Sequence, residues 1–164
     1  MSEAVPPVPT PLVTAQIEPL TAALLADELR ALLPGHWEEL GVHREGMPLD
    51  PQYEEYITRD ARGEVVYATL RADGRLVGYW IHFITPGLHY KSTLQATMDI
   101  LYVKPEWRGH QGGRLLFETT RSELVRRGVK FWKVGSKDHT PIAKFLRWLG
   151  FEPYETWFSM WLGD

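Results

Sequence analysis

The chain has no cysteine among its 164 residues. Disulfide bonds, thiolate metal sites and a cysteine nucleophile are therefore excluded, and we expect a protein of the reducing cytoplasm. A strong charge of either sign is also lacking, because the formal net charge is −3. General electrostatic binding to DNA or RNA is disfavoured for that reason, and we expect no nucleic-acid partner.

Long apolar runs are absent as well. None reaches the length of a membrane span, and the first residues lack the charged-then-apolar order of a signal peptide, so we expect no membrane partner. Metal-ligand spacing is also missing, since none of the six histidines stands in a pair such as His-x-x-x-His. The sequence therefore predicts no metal site.

The composition is that of an ordinary globular protein, with 44% hydrophobic and 24% charged residues. Prolines crowd the opening stretch MSEAVPPVPTPL and predict a flexible tail over residues 1–12. The remainder, residues 13–164, suits one domain with a sizeable core.

Local patterns predict the order strand, two helices, three strands, helix, strand, helix, strand. Leucine spacing predicts a helix from a Thr21 cap to Pro34, and Asp50 with Pro51 predicts the start of a shorter one. Ala-Asp-Gly-Arg at 72–75 predicts a tight hairpin turn. The later elements are predicted as strands at 94–105, 129–136 and 154–162, a helix that follows the loop glycines and runs to 127, and a helix at 140–150.

The segment EWRGHQGGRLL, residues 106–116, lies between the strand ending DILYVKP and a helix pattern. A helix start presents backbone amides that lack partners, and a glycine-containing loop before it can turn several amides toward one anion. Arginines at the loop ends add fork-shaped donors for phosphate. The loop residues that we expect to bind a phosphate group are Arg108, Gly109, His110, Gln111, Gly112, Gly113 and Arg114.

Two other phosphate loops fail on spacing. The nucleoside-triphosphate loop needs Gly-Lys-Ser/Thr where this loop has Gly-Gly-Arg, and the dinucleotide fingerprint needs Gly-x-Gly-x-x-Gly near the start of a domain. The remaining alternative is that residues 108–113 only connect a strand to a helix.

The loop resembles the acetyl-coenzyme A loop of the GNAT N-acetyltransferase superfamily, Arg/Gln-x-x-Gly-x-Gly/Ala after an apolar-x-Val-x-Pro strand end. Leu101, Val103 and Pro105 match that lead-in. Arg108 and Gly113 match the loop, whereas Gln111 replaces the middle glycine. KFLRWLGFEP is similar to the family's late helix with its Gly-Phe end. The resemblance covers about residues 13–162, and LHYKSTLQATMDILYVKPEWRG looks most like the phage-type branch.

This resemblance implies an α/β (α+β) fold with a central mixed, mostly antiparallel sheet, helices on both faces, and two central strands that splay apart around the cofactor. It also implies acetyl-coenzyme A as cofactor and transfer of its acetyl group, by direct attack, to a primary amine of a small molecule or peptide. The pantetheine arm is expected beside the strand backbone at Leu101, Tyr102 and Val103. A homodimer is expected because similar proteins often form one.

Asp99 is the carboxylate nearest the expected thioester, and we predict that it takes the amine's proton or binds the ammonium group. Strand alternation puts Tyr102 on the opposite face unless a bulge intervenes. The family's usual acid, a tyrosine, is replaced by Leu146, which leaves Tyr102, Tyr154 and His139 as substitutes, of which we predict Tyr102 and His139. An acyl-coenzyme A sensor or scaffold without turnover is the alternative function.

His89 and Tyr90 lie between two predicted strands, and His82 lies on the strand before them. Loops at this end of the fold often shape the acceptor pocket in the family. We therefore predict His82, His89 and Tyr90 as residues that bind the substrate. Each is equally compatible with an ordinary, partly buried polar position in a hairpin.

Overall fold

A five-stranded sheet organises the chain in the computed structural model, which describes residues 10–109, 111–137 and 142–163. The strands lie in the order of the sequence, with the first four antiparallel and the fifth parallel to the fourth. They are β1 (Val13–Ile17), β2 (Val65–Ala72), β3 (Arg75–Gly87), β4 (Tyr90–Val103) and β5 (Phe131–Lys133).

Helices cover both faces of this sheet, which confirms the predicted fold class. The helices are α1 (Leu20–Leu25), α2 (Leu33–Leu40), α3 (Tyr53–Ala61), α4 (Gly112–Arg126) and α5 (Ile142–Trp148), with a 3₁₀ turn at Pro105–Trp107. Leucines of α1 and α2 and aromatic residues of α3 pack with Tyr67, Tyr79 and Ile81 on one face. Leu116 of α4 packs with Leu70 and Trp80 on the other face.

The hairpin between β2 and β3 lies where the sequence predicts it. Asp73 and Gly74 have φ values of 47° and 80°. This pair of left-handed residues is the turn that matches the twist of two antiparallel strands. The end of α4 is also confirmed, since the helix stops at Arg126 and Gly128 follows with a φ of 78°.

The predicted helix from Thr21 to Pro34 is wrong, because the chain breaks it into α1 and α2. Asp27 has a φ of 58°, a left-handed conformation that an α helix cannot continue through. Pro34 then lies in the first turn of α2, where its missing amide costs nothing. Leu29 and Leu32 are still buried between the two helices, so the leucine spacing predicted the burial but missed the break.

Both helix caps predicted in this part of the chain are wrong. Thr21 lies inside α1, and its amide and hydroxyl donate to Asp60 Oδ2 of α3 at 2.8 and 2.7 Å. The helix expected after Asp50 begins at Tyr53 instead. A carboxylate from a neighbouring helix therefore satisfies the start of α1, which local sequence cannot reveal.

The predicted strand over 154–162 is wrong as well, because residues 151–163 lie outside any strand. The strand expected at 129–136 shrinks to the three residues of β5, which leaves a short edge for another strand to pair with. The final segment instead follows aromatic contacts: Tyr154 lies edge-on to Phe131, and Trp161 stacks on His43 with ring centroids 5.4 Å apart.

Two irregularities shape the middle of the sheet. β4 pairs with β5 only from Gln95 to Thr97, and residues 134–137 continue outside any strand. β4 also carries an extra residue opposite β3, because Ile100 pairs with Ile81 while Met98 pairs with His82. Asp99 is that extra residue, so a bulge lies just where β4 and β5 have separated.

Arg71 of β2 ties the broken helix to the sheet. Its guanidinium contacts Glu18 at 2.7 Å and Glu28 at 2.7 Å, and the Arg71 and Glu18 side chains are only 14% and 17% exposed. Hydrogen bonds from Arg71 lower the pKa of Glu18 to about 2. Because that pKa lies below the value of the unfolded chain, the contribution to stability is complete above about pH 5 and is lost as pH falls toward 2.

We predict that Arg71→Met lowers the free energy of unfolding by about 2 kcal/mol at pH 7, since it leaves two acids without their shared partner. The loss becomes smaller at pH 3, where Glu18 of the unfolded chain is already protonated. Urea unfolding at both pH values measures this. Arg126→Met is the control, because Glu123 keeps its contact with Arg127. An equal loss at both pH values, or none, would contradict the role given to Arg71.

Candidate active site

A cavity of about 390 Å³ opens on the sheet face covered by α1, α2 and α3. Ile81 and Ile100 form its floor, and α2 contributes Leu33, His36 and Trp37. Tyr56 of α3 and Lys137, which follows β5, also contact it. The cavity therefore lies beside the Asp99 bulge, at the part of β4 that β5 no longer pairs with.

Tyr56 and Asp99 form a hydrogen-bonded pair at the cavity wall. The Tyr56 hydroxyl donates to Asp99 Oδ2 over 2.5 Å. Partial burial raises the pKa of Asp99, while the Tyr56 hydrogen bond and the nearby Arg59 act in the opposite direction. Burial also raises the pKa of Tyr56, with Asp99 adding to the effect. A carboxyl with a raised pKa, linked to a cavity by a hydroxyl, can accept a proton from a bound group.

The bulge places Tyr102 on the same side of the sheet as Asp99. Tyr102 packs with Tyr79, Ile100 and Tyr67 in the core beneath the helices. Its ring stacks on His36 with centroids 4.9 Å apart, and His36 Nδ1 lies 2.6 Å from the Tyr79 hydroxyl. Burial is the main cause that lowers the pKa of His36, to about 4, so this imidazole is neutral at physiological pH.

Arg108 links the glycine loop to this cluster. Its Nε donates to the Val103 carbonyl at 2.8 Å, and its Nη2 donates to Glu39 Oε2 of α2 at 2.6 Å. The guanidinium carbon lies 5.8 Å from the Tyr102 ring centroid. α2 therefore contacts both the cavity and the loop, and Glu39 already engages the arginine expected to meet phosphate.

Two left-handed residues lie in the described part of the loop. Gly109 has a φ of 81°, and no atom of the described residues beyond its two chain neighbours lies within 4 Å of the position that a Cβ would take. Gln111 has a φ of 60° and precedes the first residue of α4 without forming a side-chain cap. A left-handed conformation explains why glycine suits position 111 better than glutamine.

Gly112 and Gly113 serve packing within the protein. A Cβ on Gly112 would lie 2.6 Å from a Leu70 methyl, and one on Gly113 would lie 2.8 Å from the Phe145 ring. These two glycines therefore let α4 approach β2 and α5. The amides in the first turn of α4 keep their outward donors, so the expected anion site depends on those amides and on Gly109.

The other residues predicted for the site are dispersed. His82 is fully buried on the opposite face, where Trp132 Nε1 donates to its Nε2 at 2.9 Å and burial lowers its pKa to about 3. His89 and Tyr90 are exposed at the β3–β4 turn. None of the three lines the cavity. His110 and His139 lie outside the described residues.

Sequence reasoning missed three residues at the cavity: Tyr56, His36 and Lys137. Tyr56 belongs to YEEYI, where tyrosine spacing could have been read as the buried stripe of an amphipathic helix. Lys137 directly follows the end of the strand predicted at 129–136, but its link to the Leu40 carbonyl depends on tertiary structure. His36 carried no local signal.

Among the described residues, no group of three or more histidines and acids is placed to hold a metal ion. The same residues include no helix with the length and apolar character needed to cross a membrane.

The model of the acetyltransferase (GNAT) family matches residues 26–151, most of the chain. The chain belongs to that family. No curated protein matches it by sequence. The GNAT assignment agrees with a sheet whose fourth and fifth strands separate beside a glycine loop.

Solved structures share this GNAT fold. A ribosomal-protein-alanine N-acetyltransferase from Brucella melitensis biovar Abortus 2308 is 16% identical and superposes with a TM-score of 0.68, over 93% of this chain and 100% of that one. An aminoglycoside acetyltransferase from an uncultured soil metagenomic sample, in complex with trehalose, has 13% identity and a TM-score of 0.69, over 94% and 97%.

A third relative, AAC(6')-Iy in complex with a CoA bisubstrate analogue, is 14% identical with a TM-score of 0.63, over 93% of this chain and 99% of that one. GNAT acetyltransferases use acetyl-coenzyme A, and the described residues fit that group. The start of α4 has amide donors without a side-chain cap, and open space adjoins Gly109. Beyond Thr97, β4 no longer pairs with β5.

We predict that Gln111→Gly stabilises the protein by about 0.5–1 kcal/mol, because glycine adopts a φ of 60° without steric cost. Arg121→Gly, on an exposed position inside α4, is the matched control and should cost about the same amount. Thermal unfolding of both variants measures the two signs. Destabilisation by both would show that Gln111 is not in the strained conformation.

We also predict that Tyr56→Phe raises the pKa of Asp99, since it removes the hydrogen bond that favours the carboxylate. Carboxyl ¹³C chemical shifts followed through a pH titration measure this, and Asp99→Asn identifies the signal. Tyr90→Phe, at an exposed turn position, is the control with no expected change. An unchanged or lower Asp99 pKa in Tyr56→Phe would show that the Tyr56 hydroxyl does not stabilise the Asp99 carboxylate.

Proposed function

We propose that the protein is an N-acetyltransferase that moves an acetyl group from acetyl-coenzyme A to a primary amine of a small molecule or peptide. The observation that carries this proposal is the Tyr56–Asp99 pair, which lies between an acceptor-sized cavity and the separation of β4 from β5. A proton acceptor and the expected cofactor track then meet at one point of β4.

Acetyl-coenzyme A, when bound, supplies the activated acetyl thioester. We propose that the α4 amides from Gly112 to Arg114, with Gly109, hold its diphosphate, and that the β4 backbone at Leu101–Val103 lies along its arm. Arg114 faces solvent with Glu118 at 2.7 Å, and Arg108 is engaged by Glu39. The main-chain donors therefore carry most of this binding, with the arginines adding charge.

The amine must lose a proton before it can attack. In the proposed route, an N–H bond of the bound ammonium group breaks and its proton goes to the Tyr56 oxygen, while the phenolic proton of Tyr56 passes to Asp99 Oδ2. The nitrogen keeps the electron pair, and Asp99 becomes the neutral acid. Tyr102 holds its proton at neutral pH, because burial raises its pKa. Among the described residues, we propose Tyr102 as the acid that protonates the leaving thiolate.

A second function is favoured by two observations. Leu146 is buried where the family usually places its acidic tyrosine, and Gln111 replaces the middle glycine of the loop. Both changes suit a protein that binds an acyl-coenzyme A without turning it over. Such a sensor would use the same loop but would not need Asp99.

Three further assignments rest on the sequence and its resemblance: membership of the phage-type branch, a cytoplasmic location and assembly as a homodimer. LHYKSTLQATMDILYVKPEWRG supports the first, and the absence of cysteine supports the second. Light scattering of the purified protein tests the third.

Thiol release from acetyl-coenzyme A, measured with a panel of primary amines, tests the enzyme. We expect release that depends on the amine, and we expect Asp99→Asn to lower kcat/KM by about 100-fold or more, because a positioned base contributes at least that much. The acidic limb of the pH profile should disappear in this variant. Amine-dependent release that is unchanged in Asp99→Asn would remove Asp99 from the mechanism.

Calorimetry with coenzyme A separates the sensor from a protein that binds no cofactor. Gly109→Asp adds a negative charge at the open position beside the α4 amides, while Gly109→Asn adds a side chain of the same size without charge. We expect at least about tenfold weaker binding in Gly109→Asp than in Gly109→Asn. Tight binding without thiol release for any amine would support the sensor. Equal binding by both variants would show that the diphosphate does not lie beside Gly109.

A further inference from the structure

The wall of the cavity is predominantly apolar. Leu24, Leu29 and Leu33 line one side, Met47 and Leu49 from the segment between α2 and α3 line another, and Ile100 lies at the floor. A volume of about 390 Å³ has room for about a dozen non-hydrogen atoms, at roughly 30 Å³ for each water-sized unit. The cavity therefore suits a compact apolar body, which releases water from this wall when it binds.

Charged groups occupy the edge of the cavity. Among the described residues that line it, Asp50 and Lys137 are the ones charged at neutral pH, and both are exposed. His36 is buried and neutral, and burial is the main cause of its lowered pKa; Lys137 and Arg108 lower that pKa further, while Glu39 acts in the opposite direction. Asp50 is the one acid among the described lining residues, so a ligand with several ammonium groups would place its remaining charges against an apolar wall.

One position on the cavity lining does suit a single ammonium group. Tyr56 lines the cavity, and its hydroxyl donates to the Asp99 carboxylate. An amine held there extends its remaining atoms along the leucines and Ile100. The site thus combines one polar anchor with an apolar body pocket, the usual arrangement of a small-molecule site.

We propose that the acceptor is a monoamine with an uncharged aromatic or branched aliphatic body of about a dozen non-hydrogen atoms, bound with its nitrogen at Tyr56. This inference rests on the proposed function for the transfer itself, but the cavity's choice of ligand is a separate property. Polyamines and short hydrophilic amines are excluded by the same wall.

The test compares tryptamine with ethanolamine and spermidine, both as acceptors and as ligands. We expect kcat/KM for thiol release to be at least about 100-fold higher with tryptamine than with ethanolamine or spermidine, because each buried methylene-sized group of tryptamine contributes to binding. Met47→Asp, which puts a charge into the wall, should lower the value for tryptamine by about tenfold or more. Met160→Asp, at an exposed position outside the cavity, is the matched control and should leave it unchanged.

Calorimetry of the protein with tryptamine alone keeps this inference distinct from the proposed function. If no amine supports thiol release, tryptamine heat that is weakened in Met47→Asp but kept in Met160→Asp still supports the apolar acceptor site. Equal kcat/KM for spermidine and tryptamine, or no tryptamine binding in either assay, would overturn it.

Discussion

The site exists because β4 and β5 pair over only three residues and then separate. A fully paired sheet would have no main-chain groups available at its centre, since each strand would satisfy its neighbour. Beyond Thr97, β4 has no strand partner on that side among the described residues. The bulge at Asp99 comes two residues after Thr97 along β4. It places the Asp99 carboxylate and Tyr102 on the same face of the sheet, which α1, α2 and α3 cover.

Helices α2 and α3 bring the remaining side chains to the site where β4 and β5 separate. Breaking the first helix at Asp27 lets α2 start over the middle of the sheet, where His36 meets Tyr102 and Glu39 meets Arg108. α3 brings Tyr56 to Asp99 while its Asp60 satisfies the start of α1. Arg71 fixes the break to the sheet through Glu18 and Glu28. Stability and site geometry therefore depend on the same few contacts.

Sequence patterns predicted the features that local chemistry decides. The Asp73-Gly74 turn, the strand before Pro105 and the end of α4 each follow from turn, proline or capping preferences. The glycine loop and the late Gly-Phe pair indicated the family, which the family model confirms. These signals lie within a few residues of the structure that they specify.

Features decided by tertiary contacts were not legible. A left-handed aspartate in the middle of a leucine repeat gives no local warning, and neither does a bulge at Asp99 in a regular strand pattern. The position of His82 was not legible either: it lies in the core with Trp132, while Tyr56 of α3, which was not singled out from the sequence, lines the cavity. The C-terminal strand failed because its aromatic residues satisfy the alternation of a strand while β5 offers only a short edge.

We propose that a coenzyme A diphosphate binds the main chain at the start of α4, next to the point where β4 and β5 separate. Backbone amide NMR shifts during a titration with coenzyme A test this most directly. We expect the largest shifts at Gly109 and at Gln111 to Arg114, with smaller ones along β4 from Leu101 to Val103. Saturable binding with its largest shifts on another surface, or no shift at any coenzyme A concentration, would contradict the claim.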